Sequence, residues 1–169
     1  MSRMLVVLAA AAAAVAGVAH AETVTADLKN GAGQTIGTVS LTEAPKGVLM
    51  RVEAKGLTPG WHGLHFHEKA DCSKSDFTSA GAHTRHQGHG DAKAVHGLLN
   101  AEANETGDLP NIHAGADGAA TAEVFTTLTT LSALRDGDGS AVLIHANADD
   151  HKTQPIGGAG ARVACALVK

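Results

Sequence analysis

The sequence predicts an all-β domain, an antiparallel sandwich or flattened barrel. Two observations carry this. Apolar residues alternate with polar ones in several short runs, and turns rich in the chain's 20 glycines separate those runs. Thr23 to Leu28 sets Val24, Ala26 and Leu28 on one side. Gly31-Ala32-Gly33 turns the chain into a β-branched run, Thr35 to Leu41. From Gly47, Val48, Met50, Val52 and Ala54 alternate with Leu49, Arg51, Glu53 and Lys55, the period of a half-buried strand. Leu57-Thr58-Pro59-Gly60 is a turn. Trp61 to Glu68 alternates again, with Leu64 and Phe66 on one face and His65 and His67 on the other. Thr121 to Thr127, Ser140 to Ile144 and Arg162 to Val168 are further strands, and Asp117-Gly118 and Asp136-Gly137 are turn signals. Only 127–136 hints at a helical turn. Two stretches, 69–111 and 146–161, carry no pattern. Long structureless loops in a compact domain are usually functional or disordered.

Composition narrows the function. The 169 residues carry a formal charge of −4 and are 44% hydrophobic and 18% charged, which suits one globular domain rather than a disordered tail. A pI of about 6.2 offers no basic excess for phosphates, and 2% aromatics with no Tyr offers no stacking platform, so no nucleic-acid partner is expected. Eleven histidines in such a chain point to metal or proton chemistry.

The first residues read as an address. Arg3 gives a basic start, 5–18 is uncharged and apolar, and Ala19-His20-Ala21 is a cleavage pattern before Glu22. This is the layout of a secretory signal peptide over residues 1–21. A buried helix or a membrane anchor is the alternative, but the run is short of the roughly 20 residues that span a bilayer. Cleavage leaves a domain at 22–169, periplasmic or otherwise exported, with 12 basic against 17 acidic side chains and no membrane span. In an exported chain two cysteines are most simply a disulfide; in a cytosolic one, free thiols.

The histidines carry the chemistry. On a strand, His65 and His67 face the same way and can reach one ion. His83, His86, His89, His96, His113, His145 and His151 follow, with His145 just after a strand. Several imidazoles with few thiolates suit copper, zinc, iron or nickel better than magnesium or calcium. No phosphate-binding loop or nucleophile elbow is present, and Glu68-Lys69-Ala70 after His67 excludes the HxHxDH hydrolase pattern.

Five segments then resemble one family. Trp61 to Lys69 (WHGLHFHEK) resembles the HGFHxHE segment of the copper,zinc superoxide dismutases. Ser79 to His83 (SAGAH) is similar to their SAGxH, and Gly107 to Ile112 to the GDLPNI of the bacterial branch. Ile144-His145 with Asp149-Asp150 resembles IHxxxDD, and Gly157 to Cys165 resembles GxxGxRxAC. All five occur in the family's order.

The resemblance implies a Greek-key fold of about eight strands that dismutates superoxide, as a monomer or homodimer. It implies copper ligands His65, His67, His83 and His145, with His83 bridging to zinc. It implies zinc ligands His83, His96 and Asp108, a Cys72–Cys165 disulfide, and Asp149 linking the rings of His65 and His96. His83 and Arg162 become the catalytic candidates, Arg162 as the cation that docks the anion, with Lys152 a weaker steering charge. One family position departs: the usual His three residues before Asp108 is Glu105, so the last zinc ligand is open between Glu105, His89 and His86. His62 resembles a structural histidine bonded to backbone. His113 and His151 read as surface loop residues.

Overall fold

A computed structural model describes residues 21–85 and 93–169. Nine strands run through them: β1 (Thr23–Asn30), β2 (Thr35–Ala44), β3 (Gly47–Ala54), β4 (Gly60–His62), β5 (Leu64–His67), β6 (Ile112–Ala114), β7 (Ala120–Thr126), β8 (Ser140–His145) and β9 (Arg162–Val168). Seven form one antiparallel sheet in the order β5-β8-β9-β1-β2-β3-β7; β4 pairs with β6 in a second. The small sheet links the large sheet's two edges, since β4 leads into β5 and a Gly118 turn joins β6 to β7. The result is the curled, barrel-like all-β fold that the alternation implied.

Period two decides what is inside. On β3, Val48, Met50, Val52 and Ala54 are buried while Arg51 and Glu53 face water. Leu28, Leu41, Leu64, Phe66, Leu109, Val142, Ile144 and Ala166 join them in the main core. Strands β5 and β8 are buried on both faces. Their inner face meets that core. Their outer face lies under the long loop, where Phe77, Ala80, Ala141, Leu143 and Cys165 make a second, smaller core. Cys72 and Cys165 are joined there by a disulfide with Cα atoms 6.0 Å apart, which ties the loop to β9.

Three details differ from the sequence reading. Trp61 to Glu68 is two strands, because Gly63 leaves the ladder: its N–H donates to Asn147 and its carbonyl accepts from His145. Strand β6 carries no legible alternation, being three residues long with an exposed His113 at its centre. The hint of helix at 127–136 is one turn, Leu131–Leu134, capped by Thr130, whose hydroxyl accepts from the Ala133 N–H at 3.1 Å.

The disulfide closes a span of 93 residues. Loop-closure entropy for that length corresponds to about 4–5 kcal/mol. Cys165→Ala is therefore expected to lower the unfolding free energy from urea titration by an amount of that order, and an unchanged value would show that the staple adds nothing.

Candidate metal centre

The free edge of β5 builds the site. Leu64 and Phe66 point into the core, so His65 and His67 project under the loops. Phe66 donates its N–H to Gly107 and accepts at its carbonyl from Thr84, both at 2.9 Å. A Cβ on Gly107 would collide with that carbonyl, so only glycine allows the approach. The pairing sets Asp108 opposite His65 and His83 opposite His67. His145 ends β8, the strand beside β5. His96 comes from the long loop, where Gln154 holds both its backbone N–H (2.9 Å) and its carbonyl (2.8 Å).

Hydrogen bonds fix the rings. His67 Nδ1–H donates to Gly81 O and His145 Nδ1–H to Gly160 O, each at 3.0 Å. Carbonyls only accept, so the proton sits on Nδ1 and the Nε2 lone pair is free. His65 is reversed: Nε2–H donates to Asp149 Oδ2 at 2.7 Å, freeing Nδ1. His83 Nδ1 meets Glu105 Oε2 at 2.6 Å, leaving Nε2. His65 Nδ1, His67 Nε2, His83 Nε2 and His145 Nε2 are all buried without a partner. These four residues form one group whose ligand atoms lie within 4.8 Å of one another. Four orphaned buried lone pairs aimed at one another are costly unless a cation takes them.

A second group shares His83. Glu105 Oε2 lies 2.6 Å from His83 Nδ1 and 3.1 Å from His96 Nδ1. Asp108 Oδ1 lies 3.4 Å from His83 Nδ1 and 2.7 Å from His96 Nδ1, yet no hydrogen bond satisfies that oxygen. Ligands on a tetrahedral zinc sit about 2.0–2.2 Å from the metal, hence about 3.3 Å apart. The four separations, from 2.6 to 3.4 Å, scatter about and mostly below that edge length. This donor set fits zinc.

Asp149 joins the two groups. Besides His65 it meets His96 Nε2, 3.1 Å from either carboxylate oxygen. Arg162 stands at the first group's side, donating from both terminal nitrogens to Phe77 O and Gly81 O at 2.6 Å. Gly81 O thus serves both Arg162 and His67. His62 is buried, its ring between His145 O (2.6 Å) and Thr58 O (2.8 Å), the backbone-bonded role expected.

The electrostatics of the two groups differ. Burial pushes His65 down to about 4 and His145 to about 3, and drives His67 low as well, so these rings are neutral at pH 7. His96 pays the same burial penalty, but the carboxylates of Asp108, Asp149 and Glu105 against its ring outweigh it and raise its pKa to about 11. His83 is raised by Asp108 and Glu105 in the same way. His83 and His96 hold Asp108 and Glu105 below the usual carboxylate range despite burial, and His65 and His96 do the same for Asp149.

Among the residues singled out from sequence, the structure gathers His65, His67, His83, His96, His145, Asp108, Asp149, Glu105 and Arg162. His86 and His89 lie outside the described residues. Lys152 is exposed in the 146–161 loop. His151 departs from the expectation of a surface residue: only 19% of its side chain is exposed, because it packs between Asn111 and Asp149. Phe77, Gly81 and Asn111 escaped sequence reasoning. The first two act through carbonyls, which every residue has. Asn111 lay within a quoted motif without a role.

Several known proteins are similar to this chain. Residues 35–168 match the family model described as copper/zinc superoxide dismutase. A Superoxide dismutase [Cu-Zn] of Caulobacter vibrioides is 60% identical over 151 residues, covering 86% of this chain and 84% of that one. Superoxide dismutase [Cu-Zn] 1 of Aquifex aeolicus is 38% identical, covering 85% and 86%. Among solved structures, the Cu/Zn superoxide dismutase of Brucella abortus superposes with a TM-score of 0.72 at 29% identity, covering 88% of this chain and 100% of that one. The chain belongs to the copper/zinc superoxide dismutase family.

The pKa shifts set a pH profile for the metal-free protein. Below 6.5 the unfolded chain protonates histidines that the fold keeps neutral, so stability falls as pH drops toward 3. Above 6.5 the fold holds a proton on His96 that the unfolded chain releases, so stability falls as pH rises toward 11. Tm of the metal-free protein is expected to peak near 6.5. Zinc, which displaces that proton, is expected to flatten the alkaline limb.

Proposed function

We propose that this chain dismutates superoxide, converting two superoxide ions and two protons into dioxygen and hydrogen peroxide, with copper on His65, His67, His83 and His145 and zinc on His83, His96, Asp108 and Glu105. The observation that carries the reading is the set of four orphaned imidazole nitrogens, each aimed by a hydrogen bond at its other ring nitrogen. When bound, copper supplies the one-electron couple that accepts an electron from one superoxide and returns it to another.

The chain's own residues do the rest. Gly81, Gly160 and Asp149 hold three rings in the tautomers that present lone pairs. His83 faces both groups with opposite nitrogens, so its Nε2 can hold a proton whenever it is not ligated. Arg162, fixed by two carbonyls, keeps a permanent positive charge beside the first group and attracts a small anion. A local cation is needed because the chain's formal charge is −4. Glu105 in place of a neutral ligand gives the zinc position two carboxylates, which balance the ion's charge.

The same reading takes residues 1–21 as a leader and the product as exported to the periplasm of a bacterium, where a Cys72–Cys165 disulfide persists. N-terminal sequencing of the secreted form should begin at Glu22.

Metal analysis of the purified protein after dialysis, with superoxide turnover on the same sample, tests the activity; the expected content is about one copper and one zinc per chain. Arg162→Ala is expected to lower the second-order rate about tenfold or more with copper content unchanged, and to weaken its salt dependence. An equal rate would remove the docking role. Glu105→Ala should lose zinc to a chelator far more readily than wild type, while Glu105→His should hold it at least as well.

A further inference from the structure

Asp149 hydrogen-bonds His65 of the first group and His96 of the second, so what holds Asp149 matters to both. Asn111 grips its backbone twice: Oδ1 accepts from the Asp149 N–H and Nδ2 donates to the Asp149 carbonyl, both at 2.8 Å. Because a peptide N–H only donates, this fixes the amide's orientation. Nδ2 then also faces His151 Nε2 at 3.3 Å. An amide N–H donates, so Nε2 accepts and the ring proton of a neutral His151 sits on Nδ1. That nitrogen is buried without a hydrogen-bond partner and lies 3.6 Å from Asp149 Oδ2.

The His151 backbone closes the frame. Its N–H donates to Asp149 Oδ1 at 2.6 Å, and its φ is 61°. Its carbonyl accepts from Leu99 N–H at 3.1 Å, just beyond His96. Gly97, at a φ of 118°, lies so close to that carbonyl that a Cβ there would collide with it. One residue therefore spans Asp149, Asn111 and the loop that carries His96.

We propose that His151, braced by Asn111, is a positioning residue for Asp149. Its ring N–H aims at the carboxylate, and through that carboxylate it sets the angles of His65 toward copper and His96 toward zinc. The inference rests on the two-metal reading above. His151 touches neither metal group directly; it acts through Asp149.

The test is His151→Gly, which removes the ring, suits the positive φ and keeps both backbone hydrogen bonds. Asn111→Ala removes the brace, and His151→Gln restores an acceptor for Asn111 and a donor toward Asp149. Copper- and zinc-loaded proteins are compared for zinc dissociation against a chelator and for the Cu(II) electron paramagnetic resonance spectrum. His151→Gly and Asn111→Ala are each expected to weaken zinc binding about 10–100-fold and to shift the copper spectrum. The double variant should be little worse than either single one, and His151→Gln should recover most of the loss. Zinc binding and spectrum matching wild type in His151→Gly would overturn the proposal. So would a loss that His151→Gln does not recover, since that marks a packing defect. A wild type that takes up neither metal fails the two-metal reading itself, and the inference falls with it.

Discussion

Phe66 lends its side chain to the core and both its backbone groups to the loops. That one residue couples packing to chemistry. Its ring is fully buried in the main core and anchors β5 there. Its N–H and carbonyl then fix Gly107 and Thr84 along the strand's open edge, and with them Asp108 and His83. An unpaired edge strand is usually a liability. Here the edge is satisfied by two stretches of otherwise irregular chain, and the pairing sets the candidate ligands Asp108 and His83 opposite His65 and His67. Groups distant in sequence meet because a backbone ladder, rather than side-chain contacts alone, sets their register.

The second layer of control is the partner of each ring's far nitrogen. Three rings of the copper set are aimed by a carbonyl or a carboxylate outside the site, and the fourth by Glu105. Burial keeps three of the four uncharged. The neighbouring set is the reverse: carboxylates surround His96 and keep a proton on it until a cation replaces that proton. Two environments a few ångströms apart thus ask for different occupants. The first wants an ion that likes neutral imidazole; the second wants one whose charge offsets two carboxylates.

Much of this was legible in the sequence, and the limits are physical. Alternation on β3 and β5 named the inward residues, because the side-chain period of a strand is two. HxH on one strand was readable for the same reason. Strand β6 was not, since three residues give no period, and Gly63 broke an apparently continuous run because its hydrogen bonds go to His145 at the end of β8 and to Asn147 beyond it. The contributions of Phe77 and Gly81 are carbonyls, invisible to any reading of side-chain types. His151 looked like a solvated loop residue because its partners, Asn111 and Leu99, come from a stretch without regular structure.

Gly81 offers one oxygen with two lone pairs, and each is committed: one to the guanidinium of Arg162, the other to the imidazole of His67. The guanidinium proposed to guide the incoming anion and a ring proposed to hold the redox ion are therefore joined through a single peptide unit. Any change that shifts this peptide moves both at once. Catalytic speed and metal affinity cannot be tuned independently from this corner of the molecule, so an engineer wanting to alter one alone would have to work from the Gly160 or Asp149 side.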